Sequence, residues 1–491
     1  FSMSNLAINT SQDVNGVSRL HGDVSKEMFK GMWEGYFIEE SHVSYVTNGV
    51  HYGTWTSKAW QQLHEKTFGE AFLKDMSNPK YWEKIHDVKD ETIWDIRNKH
   101  REALISYVKE RLHESWIQHY EDPKKLLSIF KAINKDTLTI GFARRFATYK
   151  RAYLLFSNIE KLSKIVNNPE RPVQFIFAGK AHPNDKPGQE VIKEIVRISK
   201  LPEFIGKIIF LEDYDMALAR RLVQGVDIWL NTPTRPLEAS GTSGMKAQMN
   251  GTLNFSVLDG WWCEGYKDKA GWALPEKKTY DDHEFQNRLD AETIYSILEL
   301  DIVPLFYNRD MQNIPKDWVK YIKNSIAQIA PEFTTKRMID DYKVRFYNKL
   351  WARTQEMRKK DYLMAKEIAA WKRKISDGWD DINITSMTFP QDSQNTIKLG
   401  NTYHGEIIIN SNTISPEEIG IEMVVTDKNE DGQVVILEKT EMKMTTIDKT
   451  KASFTIDLKP AKAGIFNFGL RMFPKNDKLP HRQDFAFVRW L

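Results

Sequence analysis

Between residues 138 and 257 the chain alternates short, continuous apolar runs with segments whose apolar residues recur every three or four positions. The runs at 138–142, 173–178, 207–211, 226–230 and 253–257 predict strands. The intervening periodic stretches, about 148–166, 189–199 and 216–223, predict helices. Unbroken apolar strands are those buried on both faces of a parallel sheet. Alternation of this kind predicts a Rossmann-like, doubly wound α/β sheet, with ligands at the carboxyl ends of its strands. Residues 50–135 read as mostly helical, with Trp55, Trp60, Trp82, Trp94 and Trp116 on apolar faces. Residues 290–375 read as long helices; one begins at Ala330-Pro331 and carries a densely charged, solvated face to Lys374.

After Ser376-Asp-Gly378 the period drops to two. Strands are expected at 406–409, 419–425, 434–439, 452–458 and 466–472, with a hairpin turn at Asp431-Gly432. Residues 379–491 therefore read as a separate β-sandwich domain.

The chemistry concentrates where one strand ends. The run at 226–230 leads through Asn231-Thr-Pro-Thr-Arg-Pro236 into Glu238-Ala-Ser-Gly-Thr-Ser-Gly-Met-Lys246, and a helix is expected over 245–250. Small residues at a strand-to-helix turn let the backbone approach a ligand closely, and the first helix amides favour an anion. Thr242 and Ser243 add hydroxyls, and Lys246 lies about one turn in. A phosphate cradle beside a lysine able to form an imine suggests pyridoxal 5'-phosphate. The spacing matches neither a Walker A loop nor a Rossmann G-x-G-x-x-G fingerprint. On chemistry alone, a Gly/Ser-rich turn before a helix reads first as a plain helix cap.

A second cluster follows the strand at 138–142. Gly141-Phe-Ala-Arg-Arg-Phe-Ala-Thr-Tyr-Lys-Arg151 places four cations at an expected helix start, which suits either an oxyanion site or a solvated basic cap.

The string from Glu238 to Lys246, followed by Asn250-Gly251 and Leu258-Asp259-Gly260, closely resembles the cofactor segment of the α-glucan (glycogen, starch and maltodextrin) phosphorylases. The resemblance continues in the family's order through Val46-Thr-Asn-Gly-Val50, the cationic segment, Ala178-Gly-Lys-Ala181 and Phe210-Leu-Glu-Asp-Tyr214, covering residues 1 to about 355. It implies the C-terminal half of a GT-B glycosyltransferase fold, followed by a β-sandwich like that of the shorter bacterial and archaeal enzymes. Residues 1–49 would be a remnant of the N-terminal GT-B domain, 50–378 the cofactor- and phosphate-binding domain with trailing helices, and 379–491 the sandwich. The start at Phe1-Ser2-Met3 leads us to expect a fragment that lacks most of the N-terminal domain.

The implied activity is phosphorolysis of an α-1,4-glucan to α-glucose 1-phosphate with retained configuration. Lys246 would carry pyridoxal 5'-phosphate as a Schiff base, with Thr242, Ser243, Arg144 and Tyr214 around the cofactor. Arg145 and Lys150 would bind the substrate phosphate. Asn48, Tyr149, Glu238, Ser240, Gly241 and Gln12 would contact the sugar. Two positions depart from the animal enzymes: Gln12 replaces a glucose-contacting histidine, and Arg144 replaces a lysine. Arginine keeps the charge but changes the donor geometry.

Composition narrows the alternatives. A net charge of +3 over 491 residues argues for neither a nucleic-acid nor a membrane partner, and no apolar run approaches the length of a membrane span. The single cysteine, Cys263, allows no intramolecular disulfide and fits a reducing compartment, so a cytoplasmic location is expected. His51, His64, His86, His100 and His113 lack metal-ligand spacing, and no metal is expected. The partners expected are the glucan and inorganic phosphate, with self-association through apolar surface also expected. Two alternatives stay open. A nucleotide-sugar glucosyltransferase of the same fold would need no lysine imine, and a non-catalytic glucan-binding or assembly protein could keep the fold.

Overall fold

The five apolar runs expected as strands assemble into one sheet, joined by a sixth strand outside the expected series. In the computed structural model, which describes residues 2–119, 122–275, 279–389, 402–429, 432–459 and 467–491, its strands are β1 (Leu138–Ala143), β2 (Val173–Ala178), β3 (Ile208–Leu211), β4 (Ile228–Asn231), β5 (Leu253–Val257) and β6 (Trp272–Leu274). They lie in the order β3-β2-β1-β4-β5-β6 and every pairing is parallel. All residues of β1, β2, β4 and β5 are buried, which is why each reads as an unbroken apolar run rather than an alternating one.

The long helix α1 (Asp90–His119) precedes the sheet. Helices α2 (Ile159–Val166), α3 (Lys186–Ser199) and α4 (Met216–Gly225) then follow β1, β2 and β3. Each of these three starts at a short polar side chain that accepts from a backbone amide of its first turn: Asn158, Asp185 and Asp215. Alternate residues of β2 enter different apolar clusters. Phe175 and Phe177 pack with Leu162 and Ile165 of α2 and Ile195 of α3. Ile176 and Ala178 pack with Leu104 and Val108 of α1 and Leu218 and Leu222 of α4.

The continuous helix expected over 148–166 is not formed. Single 3₁₀ turns at Thr148–Lys150 and Ala152–Phe156 flank Arg151, whose left-handed φ of 50° breaks any helix there. Ala330-Pro331 likewise opens a 3₁₀ turn, Ala330–Phe333, and the helix proper begins at Thr335.

The chain divides into two compact units: residues 16–22 with 45–343, which hold the parallel sheet, and residues 1–15, 23–44 and 344–491. The second unit carries β7 (Asn383–Thr388), β8 (Tyr403–Asn410), β9 (Ile419–Lys428), β10 (Val434–Glu441), β11 (Lys443–Thr446), β12 (Lys451–Leu458), β13 (Asn467–Pro474) and β14 (Arg489–Trp490). They form two antiparallel four-stranded sheets, β11-β12-β8-β7 and β10-β9-β13-β14. Ile407, Ile409, Phe454 and Ile456 of one sheet share a core with Ile421, Met423, Leu470 and Met472 of the other, as inward-facing residues of a sandwich do. Trp371 and Ile375, near the end of the helical segment Asn348–Gly378, whose backbone leaves the helical conformation at Lys359–Tyr362, and Trp379 just beyond it enter the same core. Of the expected hairpin and last strand, Asp431 and Phe466 lie outside the described residues. No described helix is long and apolar enough to cross a membrane.

Candidate active site

Strands β1 and β4 are parallel neighbours at the point where the strand order reverses, so the loops that leave them emerge at the same edge of the sheet. Arg151 ties these loops together. Its Nε donates to Thr232 O at 2.9 Å, one terminal nitrogen donates to Pro233 O at 2.8 Å, and Asp290 neutralises it at 2.6 Å. Thr234 N donates to Tyr149 O at 2.7 Å, and Thr232 Oγ1 to Lys150 O at 3.0 Å. One of the four cations of the 141–151 segment is thus occupied in holding the frame. The helix amides expected there are absent too. With only 3₁₀ turns after β1, the amides of Arg144 and Phe146 donate to Ala178 O and Lys180 O instead.

The remaining cations sort by their partners. Lys150 Nζ is hydrogen-bonded to Glu238 Oε2, and Arg144 Nη1 lies 3.5 Å from the same oxygen. Arg144 is buried. Burial lowers its pKa, against the opposing pull of Glu238 and of the Tyr149 and Tyr214 phenols. Burial also raises the Tyr214 phenol above its ordinary value, with Arg144 opposing. The Lys150 ammonium sits 4.7 Å over the Tyr149 ring. Arg145 is exposed, and no described residue pairs with its guanidinium.

The glycine-rich turn is built from β4 to the short helix α5 (Thr242–Gln248). Gly241, at φ 85°, adopts the left-handed conformation that begins α5. A Cβ on Gly244 would fall 2.7 Å from Asn254 Oδ1 and 2.9 Å from the Trp261 ring, so only glycine lets α5 lie this close to β5. The amides of Thr242 and Ser243 find no acceptor among the described residues, and Ser243 Oγ accepts from the Trp229 indole at 3.1 Å. Buried Asp259 braces the turn by accepting from Glu238 N at 3.0 Å and Gly260 N at 2.8 Å. Burial pushes its carboxyl up to about 6.

Asn48 donates to Ser240 Oγ at 3.0 Å, and its carbonyl accepts from Arg337 at 3.0 Å. The half-buried Lys246 ammonium has no hydrogen-bond or ion-pair partner among the described residues, and it lies 4.0 Å from the Trp55 ring centroid. Burial lowers its pKa from the ordinary lysine value. Asn250 holds the Trp55 segment in place, donating to Trp55 O and Lys246 O at 2.9 Å each and accepting from Ser57 N at 2.8 Å.

Arg144, Lys150, Tyr149 and Glu238 are joined by these contacts, as are Asn48 and Ser240; Gly241, Thr242, Ser243 and Lys246 share one turn and its helix. Gln12 belongs to the other unit, where its amide donates to Asp13 at 3.1 Å. Sequence reasoning missed the bracing roles of Trp55, Arg151 and Asp259. The Asn250-Gly251 and Asp259-Gly260 pairs were visible as motifs, but no local signal brings Trp55 to Lys246.

The carbohydrate phosphorylase family profile matches residues 1–267, and the glycogen phosphorylase C-terminal domain profile matches residues 379–491. An α/β chain with a parallel sheet, a cationic strand exit and a glycine-rich turn bearing a lysine fits that match. The chain belongs to the carbohydrate phosphorylase family. It is similar to maltodextrin phosphorylase of Thermococcus litoralis, 37% identical over 495 residues that cover 100% of this chain and 57% of the relative. It is also similar to glycogen phosphorylase of Aquifex aeolicus, 45% identical over 351 residues covering 71% of this chain and 50% of the relative. The brain-form glycogen phosphorylase of Bos taurus is 24% identical over 400 residues, with 69% and 45% covered. The chain spans about half the length of the curated relatives it matches.

Proposed function

We propose that this chain carries the cofactor- and phosphate-binding half of an α-1,4-glucan phosphorylase, which cleaves glycogen or maltodextrin with inorganic phosphate to give α-glucose 1-phosphate with retention. The observation that carries the reading is Lys246: a half-buried lysine of lowered pKa with no partner among the described residues, one turn into a helix whose first two amides find no acceptor among them. A lysine that loses its proton readily is a nucleophilic amine suited to a carbonyl cofactor.

The residues present fit pyridoxal 5'-phosphate. Lys246 would hold it, with the Thr242 and Ser243 amides and hydroxyls, Arg144 and Tyr214 beside it. When bound, the cofactor supplies a phosphate group that titrates near neutrality and can exchange a proton with the substrate phosphate.

Arg145 and Lys150 would grip the substrate phosphate. Neutralising its charge lets it stand close to a second anion and stabilises the charge that builds up in the transition state. A proton passes from the substrate phosphate to the glycosidic oxygen as the bond from that oxygen to C1 breaks. A phosphate oxygen then closes on C1 from the same face, which retains the configuration. Glu238, Ser240, Gly241, Asn48 and Tyr149 would orient the sugar; Gln12 is assigned on resemblance alone. In fold terms the strand order β3-β2-β1-β4-β5-β6, with alternate β2 residues entering different helix-containing clusters, supports the doubly wound C-terminal half of a GT-B fold. A cytoplasmic location and self-association belong to the same proposal.

Borohydride reduction after loading with pyridoxal 5'-phosphate, followed by peptide mapping, is expected to place a pyridoxyl group on Lys246. A protein that takes up no cofactor would overturn this reading and favour a nucleotide-sugar glucosyltransferase.

A further inference from the structure

The backbone that follows Asn48 is laid against the start of the helix Thr335–Tyr342, far along the chain but in the same unit. Val50 N donates to Phe333 O at 2.8 Å, and Thr335 N donates to Val50 O at 3.0 Å. A Cβ on Gly49 would fall 2.3 Å from Thr334 O, so only glycine allows this approach.

Arg337, half-buried in the first turn of that helix, completes the contact. Its Nη1 donates to Thr47 O at 2.7 Å, and its Nη2 donates to Asn48 O at 3.0 Å. Its Nε donates to Glu332 O at 2.6 Å, and Asp341 lies 3.1 Å from Nη1. The first two carbonyls belong to the peptide planes on either side of the Asn48 Cα. Because a peptide is planar, fixing both planes fixes φ and ψ of Asn48, and with them the direction in which its side chain leaves the backbone. A guanidinium fork, with donors in set directions, can impose this; an ammonium is a point charge with freely turning donors.

Glu264 anchors the neighbouring side chain, accepting from Thr47 Oγ1 at 2.7 Å and from Arg19 N at 2.9 Å. So held, Asn48 donates its amide to Ser240 Oγ in the glycine-rich turn. Asn48 Oδ1 makes no hydrogen bond among the described residues, which leaves an acceptor free for a hydroxyl.

We propose that Arg337 is a positioning residue for the glucosyl site. Resting on the function proposed above, it sets the aim of the Asn48 amide and acts on sugar binding through Asn48, with no contact of its own to the sugar.

The test is a double-mutant cycle in the active enzyme that contains this chain, run in the direction of glucan synthesis. The readout is the KM for α-glucose 1-phosphate, with the KM for inorganic phosphate measured in the reverse direction. Arg337→Met and Asn48→Ala should each raise the first about fivefold, the effect of one lost neutral hydrogen bond, and leave the second unchanged. Combined, they should still give about fivefold, where independent losses would multiply to roughly twenty-five-fold. A role in folding alone would reduce the amount of active enzyme, and hence apparent kcat, without moving either KM. Arg337→Lys keeps the ion pair to Asp341, and so keeps the cycle measurable even where Arg337→Met fails to fold. It should recover only part of the loss. Full recovery by lysine, multiplying effects in the double variant, or an unchanged KM for α-glucose 1-phosphate would overturn the proposal. Cofactor incorporation at Lys246 is read on the same preparations. A parent with neither cofactor nor turnover removes the phosphorylase reading and this one with it, whereas a loaded, active parent with multiplying effects removes only this one.

Discussion

Glu238 holds the Lys150 ammonium by hydrogen bond and draws Arg144 to 3.5 Å, so one carboxylate engages two cations of the candidate phosphate site. Arg145, from the same segment, stays exposed and unpaired among the described residues. Phosphate bound at Lys150 must compete with this carboxylate, unless sugar hydroxyls draw it away. Sugar and phosphate binding are then coupled through Glu238. In the active enzyme that contains this chain, Glu238→Gln should lower the KM for phosphate, because a charge-assisted bond worth roughly 1.5–3 kcal/mol no longer opposes it. The KM for glucan should rise in the same variant. Steady-state kinetics in both substrates checks this, and an unchanged or higher phosphate KM would count against the competition.

Lys246 should react with pyridoxal phosphate ahead of the other lysines. Burial penalises its ammonium form, so the folded pKa lies below the ordinary value of about 10.4. The pH midpoint of incorporation, followed by reduction and mapping, should fall below that of surface lysines. The sign for stability follows. The unfolded chain binds the proton more tightly, so the burial cost is present below the folded pKa and disappears as pH rises past the unfolded value. Trp55→Ala opens the surroundings of Lys246 and should move the midpoint back up toward the surface value.

Much of the frame was legible because parallel strands buried on both faces are plain apolar runs; β2 and β5 were expected with the bounds they have. The failures share a cause. The helix expected over 148–166 has good local periodicity, but the contacts of Arg151 with Thr232, Pro233 and Asp290 hold that residue in a left-handed conformation. A long-range contact overrides propensity, and nothing within the segment announces it. The residue types at the site were visible for the same reason the strands were: they lie in one glycine-rich string and one cationic string. Which cation faces Glu238 and which faces solvent depends on where two loops meet in space, and spacing along the chain does not encode that.

Asp259 gives a pH signature. Its carboxyl rises to about 6 because burial disfavours the charged form, despite two backbone amides that favour it. A folded pKa above the unfolded value means that its stabilising effect is fully present below the unfolded pKa and is lost as pH rises through about 6. A shift of about two units corresponds to roughly 3 kcal/mol. Urea unfolding across that window should lose this contribution on going from acid to neutral pH in the parent. Asp259→Asn cannot titrate and should flatten the dependence; an unchanged slope would remove Asp259 as its source.

Asp227 should prove the most sensitive structural carboxylate. It is buried with Arg97 at 3.6 Å and Arg101 at 3.5 Å, and it accepts from Thr139 N at 3.0 Å. Arg97 in turn donates to Gln224 O, Val226 O and Asn250 O, fixing the start of β4 and the end of the glycine-rich segment. Asp227→Ala leaves two buried cations without their counter-ion, and losing one partner of a buried pair costs roughly 3–5 kcal/mol. Denaturant titration should show a loss of that order. A shift below 1 kcal/mol would mean that the backbone carbonyls alone suffice for both arginines.

Arg145 is the residue on which the phosphate reading depends most. Arg144 is buried against Glu238, Lys150 is hydrogen-bonded to Glu238, and Arg151 is locked to Thr232, Pro233 and Asp290, which leaves Arg145 as the cation of its segment with no internal partner among the described residues. A guanidinium held by nothing else can meet an anion without first breaking a bond, and its planar fork matches two phosphate oxygens. In the active enzyme, Arg145→Ala should therefore lower turnover about a hundredfold, the loss expected for one donor to a developing oxyanion, and raise the KM for phosphate. Cofactor content, read from absorbance and from reduction at Lys246, should not change, because Arg145 is assigned to the substrate anion. Arg145→Lys keeps the charge but loses the fork, and should recover part of the turnover and little of the phosphate affinity. Normal phosphate saturation in Arg145→Ala would show that the phosphate is held elsewhere. Loss of cofactor along with turnover would move Arg145 from the substrate anion to the cofactor.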